Sequence, residues 1–200
     1  TLEREKPEYV MLLAGDHIYK MNYAEMVRYH VEHKADLTIA CVNVPKNQAN
    51  QLGIAVVDSE YRIQGFQEKP RENAATIPGD PDHCFASMGI YVFKTRVLID
   101  LLTGFPDHDD FGGDIIPEAI KTLNVYGFDF HGYWEDIGTI RSFYETNLQL
   151  TSANPPFNFY DPRAPIYTHA RFLPGSIVED SKLQDVLIAE GCRIRKAEIT

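Results

Sequence analysis

The 200-residue chain is poor in cysteine, in positive charge and in long apolar runs. Its three cysteines, Cys41, Cys84 and Cys192, are odd in number and far apart, and no C-x-x-C or Cys/His ligand spacing occurs. That pattern excludes a disulfide framework and a zinc-ribbon type of site, and it fits inert thiols in a cytoplasmic protein. Lys and Arg number 19 against 29 Asp and Glu, a net charge of −10. Such a balance disfavours nucleic acid or an anionic membrane as the main partner. No apolar run reaches the roughly 18 residues that would mark a membrane-spanning helix. The first seven residues hold neither an initiator Met nor an apolar signal region, so the chain reads as one entered midway. A Ser/His/Asp or Cys/His arrangement for nucleophilic catalysis is also missing.

What is present reads as an α/β domain. Tyr9 to Ala14 is a continuous apolar run with the length of a strand buried on both faces of a parallel sheet. Asn22 stands as an N-cap with Glu25 three residues on, ahead of Tyr23, Met26, Val27 and Val31 at helical spacing. Leu37 to Val44 is a second buried strand, stopped by Pro45, and strand–helix–strand of these lengths predicts a βαβ unit. Ile54–Val57 and Tyr61–Gln67 read as a hairpin, residues 71–83 as a loop, and Phe85–Phe93 as a strand. Thr95 is placed to cap a helix through Leu102, and Asp114–Leu123 is a second helix with Pro117 in its first turn. Val125–Phe130 is a strand; Thr139–Leu150 is a helix with Ile140, Phe143, Tyr144 and Leu148 on one face. Prolines then crowd residues 154–165. Beyond Gly175, Ile177 with Leu183 and Ile188 with Ile194 lie six residues apart, the period of a left-handed parallel β-helix, although an ordinary β-tail fits the same spacing. The expected division is an α/β domain over residues 1–150, a linker over 151–174, and the beginning of a β-helix over 175–200.

Three short segments carry the chemistry. Asp16 follows the first strand, on the edge where α/β folds bind ligands. Asp136 lies 120 residues later, in Tyr133-Trp-Glu-Asp-Ile-Gly-Thr139. Each aspartate alone is equally a turn residue; together they are two carboxylates, enough for Mg²⁺ that also takes substrate phosphates and water. Glu68-Lys69-Pro70 offers a sugar-hydroxyl acceptor beside a phosphate-binding cation, or else a solvated surface pair. Pro70 biases Lys69 towards extended backbone. Gly53 and the Ser87-Met88-Gly89 segment are small residues on strand edges where a ligand can approach, or where strands pack tightly. His17, beside the turn, reads as structural. The reaction these groups suit is attack by a sugar-phosphate oxygen on the α-phosphorus of a nucleoside triphosphate, which needs in-line positioning and charge neutralisation more than a base.

The set Leu13–Lys20, Phe66–Pro70, Ala86–Phe93, Asp110–Pro117 and Tyr133–Ile140, with Phe159-Tyr-Asp-Pro162 and Pro165–Thr168 after it, resembles glucose-1-phosphate adenylyltransferase, and the likeness covers nearly the whole chain in order. The resemblance implies a Rossmann-like nucleotidyltransferase domain, incomplete at its N-terminus, followed by the start of a left-handed parallel β-helix. It implies that Asp16 and Asp136 hold a catalytic Mg²⁺, that Lys69 binds the phosphate of glucose 1-phosphate, and that Glu68, Ser87 and Gly53 line the substrate site. ATP and glucose 1-phosphate are then the substrates, ADP-glucose and pyrophosphate the products. The whole enzyme is expected as an allosteric homo-tetramer serving glycogen or starch synthesis, in the cytoplasm or, in a plant, the plastid. The chain departs from the family at Gly113, where many members carry Lys or Ser, and in starting after the family's Gly-rich triphosphate loop. These residues alone are therefore expected not to catalyse. A non-catalytic regulatory subunit and a pyrophosphorylase for another nucleotide sugar are the alternatives. An acyltransferase built on the β-helix would need a catalytic His there, and only His169 comes near.

Overall fold

A computed structural model describes residues 2–169 and 171–200; Ala170, inside the expected linker, lies outside the described residues. The elements are α1 (Leu2–Glu5), β1 (Tyr9–Leu13), β2 (His17–Tyr19), α2 (Tyr23–Glu32), β3 (Leu37–Pro45), β4 (Gly53–Val57), β5 (Ile63–Glu68) and β6 (His83–Lys94). There follow α3 (Thr95–Gly104), α4 (Ile116–Thr122), β7 (Val125–Asp129), β8 (Trp134–Asp136), α5 (Ile140–Thr151), β9 (Ile177–Glu179), β10 (Lys182–Leu183), β11 (Arg193–Arg195) and β12 (Glu198–Ile199). They group into two units, Thr1–Gly15 with Met21–Trp134 and Asp16–Lys20 with Glu135–Thr200.

The first unit is built on a mixed six-stranded sheet of order β5-β4-β6-β3-β7, with β1 also on β6. The 12-residue β6 is its axis. It runs antiparallel to β3 along one edge, while β1 and β4 share the other, β1 against residues 90–94 and β4 against 85–86. The β1–α2–β3 passage is thus a crossover between strands that point the same way but do not touch. Its sequence has the βαβ look because apolar runs report burial and not the direction of the neighbour. Only β3 and β7 pair in parallel within this sheet.

Packing follows from the alternation of these strands. Leu37, Ile39, Cys41, Phe85, Phe93, Ile115, Ile116 and Val125 are at most 1% exposed and belong to one core cluster with residues of α3 and α4. Helix α2 starts as expected, the Asn22 side chain accepting from the Ala24 N–H and donating to Glu25. Its inner face buries Met26 and also His30, which is fully enclosed. His30 Nδ1 lies 2.8 Å from Thr38 Oγ1, whereas its buried Nε2 has no hydrogen-bond partner. Burial first, and then the Lys94 ammonium, lower its pKa to about 4. Helix α3 departs from expectation: Thr95 is its first residue, the capping position falls on Lys94, and no side chain caps the turn. Before α4, a π-helical turn over Phe111–Ile115 is capped by the Asp110 carboxylate, which accepts from the Gly113 N–H.

In the second unit β2 pairs with β8, whose last two residues belong to the unit. Thr139 caps α5, and its hydroxyl and the Ser142 side chain satisfy each other's backbone N–H groups. The apolar face read from the sequence is outward: Ile140 is 91% exposed, and Phe143, Tyr144 and Leu148 are all more than half exposed. At the C-terminal end, β9 pairs in parallel with β11 and β10 with β12, each with a register offset of sixteen residues (Ile177↔Arg193, Lys182↔Glu198). Corner residues Asp180 and Lys196 repeat the same spacing with left-handed backbone, φ 47° and 49°. Ser181 Oγ bonds the Glu179 carbonyl and accepts from the Ala197 N–H one turn on. The register stacks Val178 on Ile194 and Leu183 on Ile199, while Ile177 sits beside the outward Arg193. The pairing shows a sixteen-residue register, and Ile177 and Val178 are about equally exposed, 50% and 45%. Among the described residues no helix is long and apolar enough to cross a membrane.

Candidate functional site

The residues singled out in the sequence fall into two clusters, one in each unit. In the second unit the β2–β8 pairing brings together Asp16, just before β2, and Asp136, the last residue of β8. The Ile137 N–H donates to the Asp16 carbonyl at 3.2 Å, fixing the two segments side by side. The Gly138 N–H donates to Asp136 Oδ1 at 2.8 Å, which orients that carboxylate. Asp16, His17 and Asp136 each offer one donor atom, and these atoms all lie within 4.8 Å of one another. His17, read as structural from sequence, thus joins the two aspartates. Its Nε2 is 3.5 Å from Asp16 Oδ1, with the imidazole 11% exposed and the carboxylate 67% exposed. Glu135, next to Asp136, has its pKa raised by burial and then by the carboxylates of Asp136 and Glu145. Local negative charge is in excess here, which suits a cation. Lys20 turns away from this group and donates to the Asn158 carbonyl at 2.9 Å.

In the first unit the hairpin β4–β5 sets Gly53 opposite Glu68. Two glycines enclose the Glu68 carboxylate: a Cβ on Gly53 would come 3.1 Å from Oε2 and one on Gly112 only 2.7 Å from it. A Cβ at Gly53 would also meet the Phe66 ring at 2.5 Å, and one at Gly112 would push the Glu68 carboxylate aside; the two glycines leave the room that the carboxylate occupies. Lys69 Nζ lies 3.5 Å from Glu68 Oε1 and is 64% exposed. Its backbone is left-handed, φ 44°, and not the extended form that Pro70 favours. That conformation costs on the order of 1–3 kcal/mol in a non-glycine residue, and the Lys69 N–H bond to the Leu52 carbonyl, 3.1 Å, helps to hold it.

Ser87 lies on β6 at an irregularity. Ile39 pairs with Tyr91 and Cys41 with Ser87, so two steps along β3 face four along β6, and Gly89 takes φ 66°. Within the bulge the Gly89 N–H donates to Ser87 Oγ at 3.3 Å, and the Ser87 hydroxyl lies near enough to Tyr91 to act on its phenol. The Tyr91 pKa is pushed up to about 12, by burial first; the Ser87 hydroxyl opposes this, and the charges of Asp110 and Glu68 add to it. Gly53, Glu68, Ser87, Tyr91, Asp110 and Gly112 therefore belong to one polar neighbourhood with Lys69 at its rim. The last three were missed as site residues although Tyr91 and Asp110 stand inside motifs quoted from the sequence; only the fold shows that they meet Glu68. At Gly113 the structure supplies a backbone N–H to Asp110 where a side chain is lacking.

A mixed α/β sheet with exposed carboxylates and a Glu-Lys pair at strand ends does not by itself define an enzyme class; the comparisons supply it. The family model described as nucleotidyl transferase matches residues 1–153; the chain belongs to the nucleotidyl transferase family. Its relatives include proteins named glucose-1-phosphate adenylyltransferase from Thermosipho africanus and Thermosipho melanesiensis. Each is 46% identical over 193 residues, covering 94% of this chain and 45% of the relative. The protein of that name from Fervidobacterium nodosum is 43% identical over 199 residues, covering 96% of this chain and 46% of its own length. The chain thus spans a little under half the length of these curated relatives.

Proposed function

We propose that the protein to which this chain belongs is a glucose-1-phosphate adenylyltransferase, forming ADP-glucose and pyrophosphate from ATP and glucose 1-phosphate for glycogen or starch synthesis. The observation that carries this reading is the approach of Asp16 and Asp136, distant in sequence, on two paired strands beside an excess of negative charge. Their oxygen donors fit Mg²⁺, which when bound neutralises phosphate charge as pyrophosphate departs. The sugar-phosphate oxygen forms the new bond to the α-phosphorus while the bond from that phosphorus to the bridging oxygen breaks. The nucleophile is already anionic, so no protein base is required. The Lys69 ammonium pairs with the sugar phosphate, and the Glu68 carboxylate accepts from glucose hydroxyls, with Ser87 and Gly53 lining the same neighbourhood. Positioning of this kind converts binding energy into rate.

On this reading residues 1–150 are catalytic domain, 151–174 linker and 175–200 the opening of a left-handed β-helix; the sixteen-residue parallel register supports the last. A cytoplasmic homo-tetramer is the form we assign to the whole protein. Asp136→Asn in the full-length enzyme should lower kcat by about a thousandfold, some 4 kcal/mol, with the circular-dichroism melt unchanged. Near-normal pyrophosphate release from that variant would refute the metal role.

A further inference from the structure

We propose that Gln67 is a positioning residue for the sugar-phosphate site: its side-chain amide pins the turn that follows Lys69, and through that turn it sets the place of the Lys69 ammonium. The inference rests on the reading of Lys69 as the phosphate-binding cation and adds to it a residue on the far face of the sheet. Gln67 stands between Phe66 and Glu68, yet it does not share their face. Across the hairpin it lies opposite Ile54, which is fully buried, whereas Glu68 lies opposite Gly53. Side chains alternate along a strand, so Gln67 is directed towards the apolar cluster of Val44, Ile54, Cys84 and Ala86 while Glu68 is directed towards the substrate neighbourhood. An amide among aliphatic groups must find a polar partner. Gln67 Oε1 accepts from the Ala75 N–H at 2.8 Å, eight residues along the chain. Ala74 and Ala75 pack against the same cluster, so the contact ties the return of the loop to the back of β5.

The segment between these points is the one that carries Lys69. It is held at its start by the bond from the Lys69 N–H to the Leu52 carbonyl and at its end by Gln67. Within it Lys69 and Asn73 both take left-handed backbone, φ 44° and 53°. Neither is glycine, and such conformations persist only where the surroundings over-determine them. Pro70 works against the first of them, since the residue before a proline favours extended backbone. Without the anchor at Ala75 the turn is free to relax, and an extended Lys69 would carry its Nζ away from its place 3.5 Å from Glu68 Oε1. Gln67 therefore acts on the sugar phosphate through Lys69 and not by contact.

The test measures the KM for each substrate in the full-length enzyme, followed by pyrophosphate release. Gln67→Met keeps the length of the side chain but lacks its oxygen, and Gln67→Asn keeps the amide but is one carbon too short. Each should raise the KM for glucose 1-phosphate about tenfold, the worth of one hydrogen bond, with kcat and the KM for ATP changed by less than about twofold. Gln67→Glu retains an acceptor oxygen and should bring the KM back to within about threefold of wild type. An unmoved KM for glucose 1-phosphate in either folded variant would overturn the proposal. So would equal rises in both KM values, or a Gln67→Glu variant no better than Gln67→Met, either of which makes the contact a matter of stability alone. In a Lys69→Ala background Gln67→Met should add nothing further to the KM; an additive rise would mean that Gln67 does not act through Lys69. If Lys69→Ala itself leaves the KM for glucose 1-phosphate unmoved, the phosphate role fails and this proposal with it. If Lys69→Ala raises it and Gln67→Met does not, the phosphate role stands and Gln67 is no positioning residue.

Discussion

Every buried side chain among the described residues but one belongs to the first unit; the exception is Thr146 on α5. The first unit encloses Phe85, Phe93, Ile39 and their neighbours around a sheet, whereas the second leaves Ile140, Tyr160, Tyr167 and Phe172 more than four-fifths exposed. The first is held by apolar burial, the second by short ladders, helix caps and corner serines. The difference bears on function. Glu68 projects from the end of β5 beside a close-packed core, its side chain 40% exposed and facing Gly53 and Gly112. Asp16, His17 and Asp136 are placed by backbone bonds on a two-stranded ribbon, and an ion between them would supply order that packing does not.

Substitutions can break this contrast. Phe85→Ala, in the first unit's core, should cost about 3–5 kcal/mol in urea unfolding, whereas Ile140→Ala should stay within about 0.5 kcal/mol. Equal losses would show that α5 owes its stability to burial after all. A smaller effect tests the enclosed His30. Its pKa is about 4 in the folded protein against 6.5 for the free side chain, so between those values the unfolded chain binds more protons. Stability is therefore fully present above pH 6.5 and falls as pH drops towards 4, by on the order of 3 kcal/mol. The groups around His30 are Thr38, the edge of Tyr9 and the Lys94–Asp36 pair. Asp36 stays ionised through that window, because hydrogen bonds from Lys94 and the Asn124 N–H outweigh its burial and lower its pKa. His30→Gln should flatten this part of the stability–pH curve; an unchanged slope would assign it to other groups. The smallest effect is the most local. Gly112→Ala should raise the KM for glucose 1-phosphate about tenfold, near 1.4 kcal/mol, with the KM for ATP unmoved, because the added methyl displaces the Glu68 carboxylate. Loss of ATP affinity as well would mean that the turn is structural.

The sequence announced most of the first unit because its signals are local. Asn22 with Glu25 marks the start of α2, and the apolar runs mark β1, β3 and β6, although β1 is only partly buried and its Leu13 is 47% exposed. It could not announce that β6 inserts between β1 and β3, since strand direction is decided by partners far along the chain. Nor did Thr95 reveal that it sits inside its helix, a matter of one residue that depends on where the Glu8 carbonyl meets its N–H. The site divides in the same way. Asp16, Asp136, Glu68, Lys69, Ser87 and Gly53 stood out because each lies in a compact motif. Tyr91, Asp110 and Gly112 become visible only when the bulge in β6 and the π-helical turn bring them to Glu68. His17 reads as structural because a single histidine beside a turn carries no pattern; only the fold shows that it has a ring nitrogen within 4.8 Å of carboxylate oxygens of both aspartates.

The irregularity in β6 sets a parity rule for this chain. It loops out an even number of residues, so Ser87 and Tyr91 keep to one side of the sheet and come together, where a regular strand would hold residues four apart at about 13 Å. Removing or adding one residue between them would send every side chain beyond that point to the opposite side, so Tyr91 and Phe93, which share a face, would leave the core cluster together. Exchanging Met88 for another apolar residue leaves the parity untouched. In this stretch the count of residues constrains the protein more tightly than their identity.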